Sequence, residues 1–205
     1  MTEALDAILE QRLIAIIRTS RPREAERCGD MLIELGLWAI EISLVTPDAL
    51  GVVRRLVNRA PDSVHIGVGT TLTADDAAAA ADAGASFVVS PTLDTETVAR
   101  STQLGLCSCP GVATPTEALT AVRAGADLCK LFPASVWSPG SLRDWLTAMP
   151  DVRVVPTGGI ALSDAPDWIA AGGAAVGLGS ALTRGDPADH SARISDLLTR
   201  LKEAR

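Results

Sequence analysis

The 205-residue sequence predicts an α/β fold, a closed (β/α)8 TIM barrel with an N-terminal capping helix, on three observations. Short β-rich runs alternate with longer helical stretches eight times from residue 13 onward. Four helical stretches end at a glycine just before the next run, at Gly36, Gly84, Gly125 and Gly172, where a left-handed cap lets a helix turn back into a strand. No G-x-G-x-x-G follows the first run, which counts against the open doubly wound sheet, the alternative architecture.

In order, residues 2–11 form the capping helix, placed over the bottom of the barrel. The strand runs are residues 13–18, 38–44, 65–70, 87–92, 107–112, 128–133, 153–158 and 175–182, each bounded by turn or capping residues. Between them, stretches such as 22–35, 73–83 and 115–124 are rich in Ala, Leu and Glu at helical spacing and open on Thr, Ser, Asp or Pro. Eight units of about 25 residues account for 1–205 as a single barrel domain, near the lower size limit of such barrels.

With 47% hydrophobic residues and a positive mean hydropathy, the chain has ample material for a core. Its net charge of -7 excludes the basic stripe of a nucleic-acid face and disfavours an anionic membrane surface. Partners are then small molecules or further copies of the chain. No apolar run approaches about 18 residues, and the acidic start lacks the basic-then-apolar order of a signal peptide, so a cytoplasmic location is expected. Cys28, Cys107, Cys109 and Cys129 read as free thiols, three of them in apolar runs. Cys107 and Cys109 have no second pair at metal spacing, and His65 and His190 stand alone, so no metal site is expected.

The chemistry centres on Lys130 in Leu128-Cys129-Lys130-Leu131-Phe132-Pro133. Of 18 basic residues only Lys130 and Lys202 are lysines, so lysine is not what supplies surface charge here. A desolvated strand disfavours the ammonium and frees an amine that attacks carbonyls, which arginine cannot do. The other reading of this stretch is a strand-end lysine that reaches water or pairs with a carboxylate.

In a barrel, polar residues at the C-terminal ends of strands converge on one face: Arg18, Glu41, Thr70, Thr71, Ser90, Lys130, Thr157 and Ser180. Glu41 lies inside Ala39-Ile40-Glu41-Ile42-Ser43, where burial raises a carboxyl pKa toward the range useful for proton transfer. A structural ion pair of Glu41 with Arg18 or Lys130 is its alternative role. The last two runs end in the glycine turns Gly158-Gly159 and Gly179-Ser180, at the strands where such barrels bind phosphate, which suggests a phosphorylated substrate.

The order and spacing of nine motifs, among them Ile40-Glu41-Ile42-Ser43, Gly67-Val68-Gly69-Thr70, Val89-Ser90-Pro91, Lys130-Leu131-Phe132-Pro133 and Pro156-Thr157-Gly158-Gly159, carry a resemblance nearly end to end. The chain resembles the class I aldolases of the 2-keto-3-deoxy-6-phosphogluconate (KDPG) and 4-hydroxy-2-oxoglutarate (KHG) family. The resemblance implies Lys130 as the Schiff-base lysine and Glu41 as the acid/base. It implies Arg18 and Thr70 at the keto-acid end, Gly158, Gly159, Gly179 and Ser180 at the phosphate, and Pro91, Phe132 and Thr157 as further substrate contacts. It also implies a homotrimer and a reaction without metal or organic cofactor, cleaving KDPG to pyruvate and glyceraldehyde 3-phosphate and KHG to pyruvate and glyoxylate.

One position departs from part of the family: Val45 stands where some members have an arginine that holds the substrate carboxylate. The sister group acting on the 6-phosphogalactonate epimer also carries the arginine that ends the first strand and the Lys-Ile/Leu-Phe-Pro stretch, and is the nearest alternative. A phosphate-binding barrel isomerase or decarboxylase would use the same glycine turns without an imine, and a non-enzymatic barrel would keep Lys130 and Glu41 as an ion pair.

Overall fold

Residues 2–184 and 186–204 are described by the computed structural model. Nine parallel strands form the barrel wall: β1 (Leu13–Ile17), β2 (Ala39–Ser43), β3 (His65–Gly69), β4 (Phe87–Val89), β5 (Cys107–Cys109), β6 (Gly111–Val112), β7 (Cys129–Leu131), β8 (Val154–Pro156) and β9 (Val176–Leu178). Outside lie α2 (Pro22–Glu34), α3 (Ala49–Val57), α4 (Ala74–Asp82), α5 (Thr95–Gln103), α6 (Pro115–Arg123), α7 (Pro139–Ala148), α8 (Ala165–Ala170), α9 (Ser180–Thr183) and α10 (His190–Glu203), with α1 (Glu3–Gln11) at the start. The threonines and acids that open the helical stretches do cap them: Thr73 and Asp76 form a reciprocal capping box on α4, and Thr114 and Asp94 accept from the third residues of α6 and α5.

Hydrogen bonding divides the wall into a six-stranded sheet in the order β5-β4-β3-β2-β1-β9 and a three-stranded sheet β6-β7-β8. Two seams join them. On one side Leu128 N–H donates to Ser108 O (3.1 Å) and Lys130 N–H to Pro110 O (2.8 Å); on the other Thr157 bridges Gly177 and Ala174 N–H donates to Val154 O (2.8 Å). The sheet therefore curls back on itself as the alternation predicts.

Two runs differ from expectation. The run 107–112 is interrupted at Pro110, which has no N–H for the ladder, so β5 pairs with β4 and β6 with β7 while the pieces occupy one place in the ring. The run 175–182 ends as a strand at Leu178, and Ser180–Thr183 turn into the short helix α9.

Side-chain alternation separates two cores. Leu13, Ala15 and Ile17 of β1 face outward into the layer shared with the helices, as do Ile40 and Ile42 of β2. Ile14, Ala39, Phe87, Cys107, Leu128 and Val155 point into the ring and meet Ala4, Leu5 and Ile8 of α1. The first helix thus plugs the N-terminal end of the barrel, as predicted, and leaves the C-terminal end open. Arg12, which ends α1 in a left-handed conformation (φ 60°), clamps the far end of α10 by donating to the carbonyls of Leu201 (3.0 Å) and Ala204 (2.8 Å). None of the described helices is long and apolar enough to cross a membrane.

Candidate active site

Lys130 is the central residue of β7, shares the inward face with Leu128, and is 6% exposed. Two residues on, the same alternation brings Phe132 alongside it, with Nζ 4.8 Å from the ring centroid. Glu41 points inward from the middle of β2 and is 1% exposed. Its carboxylate occupies the space over Gly69 on neighbouring β3, where any Cβ would collide with it. The Oε2 atom of Glu41 is buried without a hydrogen-bond partner. Burial pushes this carboxyl above the ordinary carboxylate range, against the opposing pull of the positive charges on Lys130 and Arg18.

The ion pair left open by the sequence does not form. Among the described residues the salt bridges lie on the helical surface, such as Arg59–Asp30 (2.8 Å) and Arg55–Glu26 (3.0 Å), and neither Lys130 nor Arg18 comes within 4.0 Å of Glu41.

A cleft of about 890 Å³ opens at the C-terminal end of the barrel. Following the ring, it is lined by Lys130 and Phe132 at β7, Thr157, Gly158 and Gly159 after β8, Gly179 and Ser180 after β9, and Arg18 after β1. Gly158 (φ 94°) and Gly159 (φ 79°) are both left-handed, which side chains rarely adopt, and a Cβ on Gly158 would stand 3.0 Å from the Phe132 ring. Glu41, Thr70 and Pro91 do not line this cleft; they sit on or after β2, β3 and β4, which follow β1 around the ring on the side away from β9.

Thr70 is held in the left-handed region at φ 64°, strained for a β-branched residue, while its hydroxyl is 2.8 Å from Ser43 Oγ. Thr71 and Ser90, predicted at the same face, instead share a buried hydrogen bond (2.8 Å), and Thr71 also donates to Val89 O (3.1 Å). Their hydroxyls brace the β3 and β4 ends. Thr157 donates to Val155 O (3.2 Å) while lining the cleft.

Sequence reasoning missed three contributors. Buried Thr46 accepts the Thr19 N–H (3.2 Å) and so ties the loop carrying Arg18 to the loop after β2. Arg184 and Arg193 also line the cleft, although they follow no strand directly. Cys28 reaches the cleft wall too, but burial and the nearby Glu24 push its thiol up to about 11, so it stays protonated and is no nucleophile at neutral pH. Among the described residues no group of three His, Cys, Asp or Glu is placed to hold a metal ion.

The family model for KDPG and KHG aldolases matches residues 5–197. A relative from Rhizobium meliloti, named a probable 2-dehydro-3-deoxy-6-phosphogalactonate aldolase, is 39% identical over 175 residues, covering 85% of this chain and 82% of its own. A Pseudomonas aeruginosa relative named 2-dehydro-3-deoxy-phosphogluconate aldolase is 38% identical over 78% of this chain and 73% of its own. The crystal structure of a KDPG aldolase from Legionella pneumophila, with pyruvate captured as a covalent carbinolamine, superposes with a TM-score of 0.81 at 25% identity, covering 98% of this chain and 97% of that one.

Proposed function

The chain belongs to the KDPG and KHG aldolase family, and from that premise we propose that it splits 2-keto-3-deoxy-6-phosphogluconate into pyruvate and glyceraldehyde 3-phosphate by imine chemistry at Lys130. The observation that carries this reading is a lysine buried in mid-strand with its head at the cleft, near a buried carboxyl that has an unpartnered oxygen. The shorter KHG is a second substrate, giving pyruvate and glyoxylate.

The steps follow from the positions. The neutral amine of Lys130 adds to the C2 ketone, and the carbinolamine loses water to an iminium. Glu41, through a water, takes the proton of the C4 hydroxyl. The C3–C4 electron pair moves into the iminium as that bond breaks, releasing the aldehyde and leaving an enamine. Glu41 returns its proton to C3, and water hydrolyses the resulting iminium to pyruvate and free lysine. A carboxyl whose pKa is raised by burial suits both transfers, since it is a stronger base than an ordinary carboxylate and still a stronger acid than water. Arg18 and Thr70 hold the keto-acid end, Pro91, Phe132 and Thr157 line the chain of the substrate, and Gly158, Gly159, Gly179 and Ser180 receive the phosphate.

A second reading, the 6-phosphogalactonate epimer, is favoured by the Rhizobium relative and by Val45, which leaves no cation at that point of the rim. Release of pyruvate from each epimer, followed with lactate dehydrogenase, separates the two; release from neither ends the aldolase reading. The homotrimer implied by the family and a cytoplasmic location complete the proposal. Exposed Val136 (71%) and Leu72 (52%) supply apolar surface for such contacts, and light scattering of the purified chain gives the count.

A further inference from the structure

Every ionisable group lining the cleft, other than the Cys28 thiol, is basic: Arg18, Lys130, Arg184 and Arg193, with no Asp or Glu among the described lining residues. This is a cationic hollow in a chain of net charge -7. Lys130 and Arg18 are used by the proposed reaction. Arg184 and Arg193 are not.

Arg193 projects from α10 back under α9, where its guanidinium donates to Ala181 O (3.1 Å) and to Arg184 O. Both acceptors are neutral carbonyls, so the charge is not cancelled. No described salt bridge reaches Arg193: of the acids along the same stretch, Asp196 meets Arg200 (3.7 Å), Asp186 accepts the Ala188 N–H (3.0 Å), and Asp189 at the start of α10 forms no ion pair with it. Two bonds hold the turn of residues 180–184 against α10. The guanidinium has five N–H donors in a fixed fork, so further donors remain after these contacts, on a group whose ordering is already complete.

We propose that Arg193 is a specificity-determining residue for the phosphate end of the substrate. It fixes the turn that presents Gly179 and Ser180, and it places a permanent positive charge at that flank, with the exposed Arg184 adding a second. Backbone N–H groups at glycine turns offer only partial charges. In an acidic protein a dianionic phosphate needs a local field of opposite sign to enter and stay. The inference rests on the aldolase reading for the identity of the phosphate's carrier, but not for the anion itself.

The test measures inorganic phosphate binding to the whole protein by calorimetry, alongside KM for the 6-phosphorylated substrate and borohydride trapping of pyruvate at Lys130. Arg193→Gln should weaken phosphate binding about tenfold or more and raise KM for the phosphorylated substrate in parallel, while pyruvate trapping falls by less than about threefold. Arg193→Lys, which keeps the charge but cannot bridge both carbonyls, should lie between, and Arg184→Gln should show a smaller loss that shrinks in high salt. Phosphate affinity within about twofold of wild type in Arg193→Gln, or an equal loss of pyruvate trapping, overturns the inference. Should Arg193→Gln not fold, wild-type phosphate affinity in both other variants overturns it instead. A wild-type protein that binds phosphate but releases no pyruvate from either epimer breaks the aldolase reading and leaves this one standing.

Discussion

The two halves of the barrel mouth handle charge in opposite ways. On the β2 and β7 side, Glu41 and Lys130 are buried, unpaired within 4.0 Å, and surrounded by strands. On the β8 and β9 side, the turn after β8 is built on the left-handed Gly158 and Gly159, and Ser180 and Arg184 are exposed at the two ends of the four-residue helix α9. The difference follows from the work proposed for each half. Making and breaking covalent bonds requires groups that can change protonation, and burial holds the Glu41 carboxyl above the ordinary carboxylate range. Holding an anion requires charge that never changes, which guanidinium and peptide N–H provide beside water.

The sharpest way to break this comparison is at Lys130. Pyruvate with borohydride should add one group to Lys130 in wild type and none in Lys130→Arg, with aldol cleavage reduced to background. Peptide mapping that finds the label on Lys202 alone would move the chemistry out of the buried half.

Glu41→Gln should lower turnover by about 10²- to 10⁴-fold while trapping is partly retained, because the imine still forms without the proton acceptor. The pH profile carries a sign. A base must be deprotonated, and burial raises this carboxyl, so turnover should fall on acidification at a pH above the ordinary carboxylate value of 4.5. Stability runs the opposite way: the folded state holds the proton more tightly than the unfolded chain, so raising pH through that window destabilises wild type. Urea melts of Glu41→Gln should therefore gain on wild type above pH 4.5 and converge with it below. A turnover loss under about tenfold would return Glu41 to a structural role.

Gly158→Ala tests whether the halves are coupled. It forces a side chain into φ 94° and sets a Cβ 3.0 Å from the Phe132 ring that stands by Lys130. We expect about 1–2 kcal/mol lost in stability, a decline in pyruvate trapping and a rise in KM for the phosphorylated substrate. A change confined to KM would show that Phe132 yields without disturbing the amine.

The smallest effects distinguish the ends of the substrate. Arg18→Lys should weaken pyruvate trapping and full-substrate binding by the same few-fold, since both present one carboxylate. Ser180→Ala should raise KM for the phosphorylated substrate by a similar factor and leave trapping close to wild type. The reverse pattern would mean the ends are exchanged.

The buried half was the more legible in sequence. Glu41 and Lys130 stand out because a charge inside an apolar run has few structural excuses, and the barrel follows from glycines such as Gly84 and Gly125 that end helices at regular intervals. The exposed half was read less well. Gly177-Leu178-Gly179-Ser180-Ala181-Leu182 alternates like a strand, which hid α9 and with it the return of Arg184 and Arg193 to the cleft. Hydroxyl direction is not written in residue type, so Thr71 and Ser90 could not be told from Thr70, whose strain at φ 64° is a property of the loop. The break at Pro110 was visible as a residue but not as a change of partner sheet.

The clamp of Arg12 on the end of α10 also decides how this protein can be handled as a material. Of its two lysines, one is buried in the cleft and the other, Lys202, is exposed on that clamped end, beside the start of β1 and away from the open mouth. A resin activated for side-chain amines would therefore grasp the molecule by its plugged base, leaving each tethered catalyst facing the flowing liquid in one orientation.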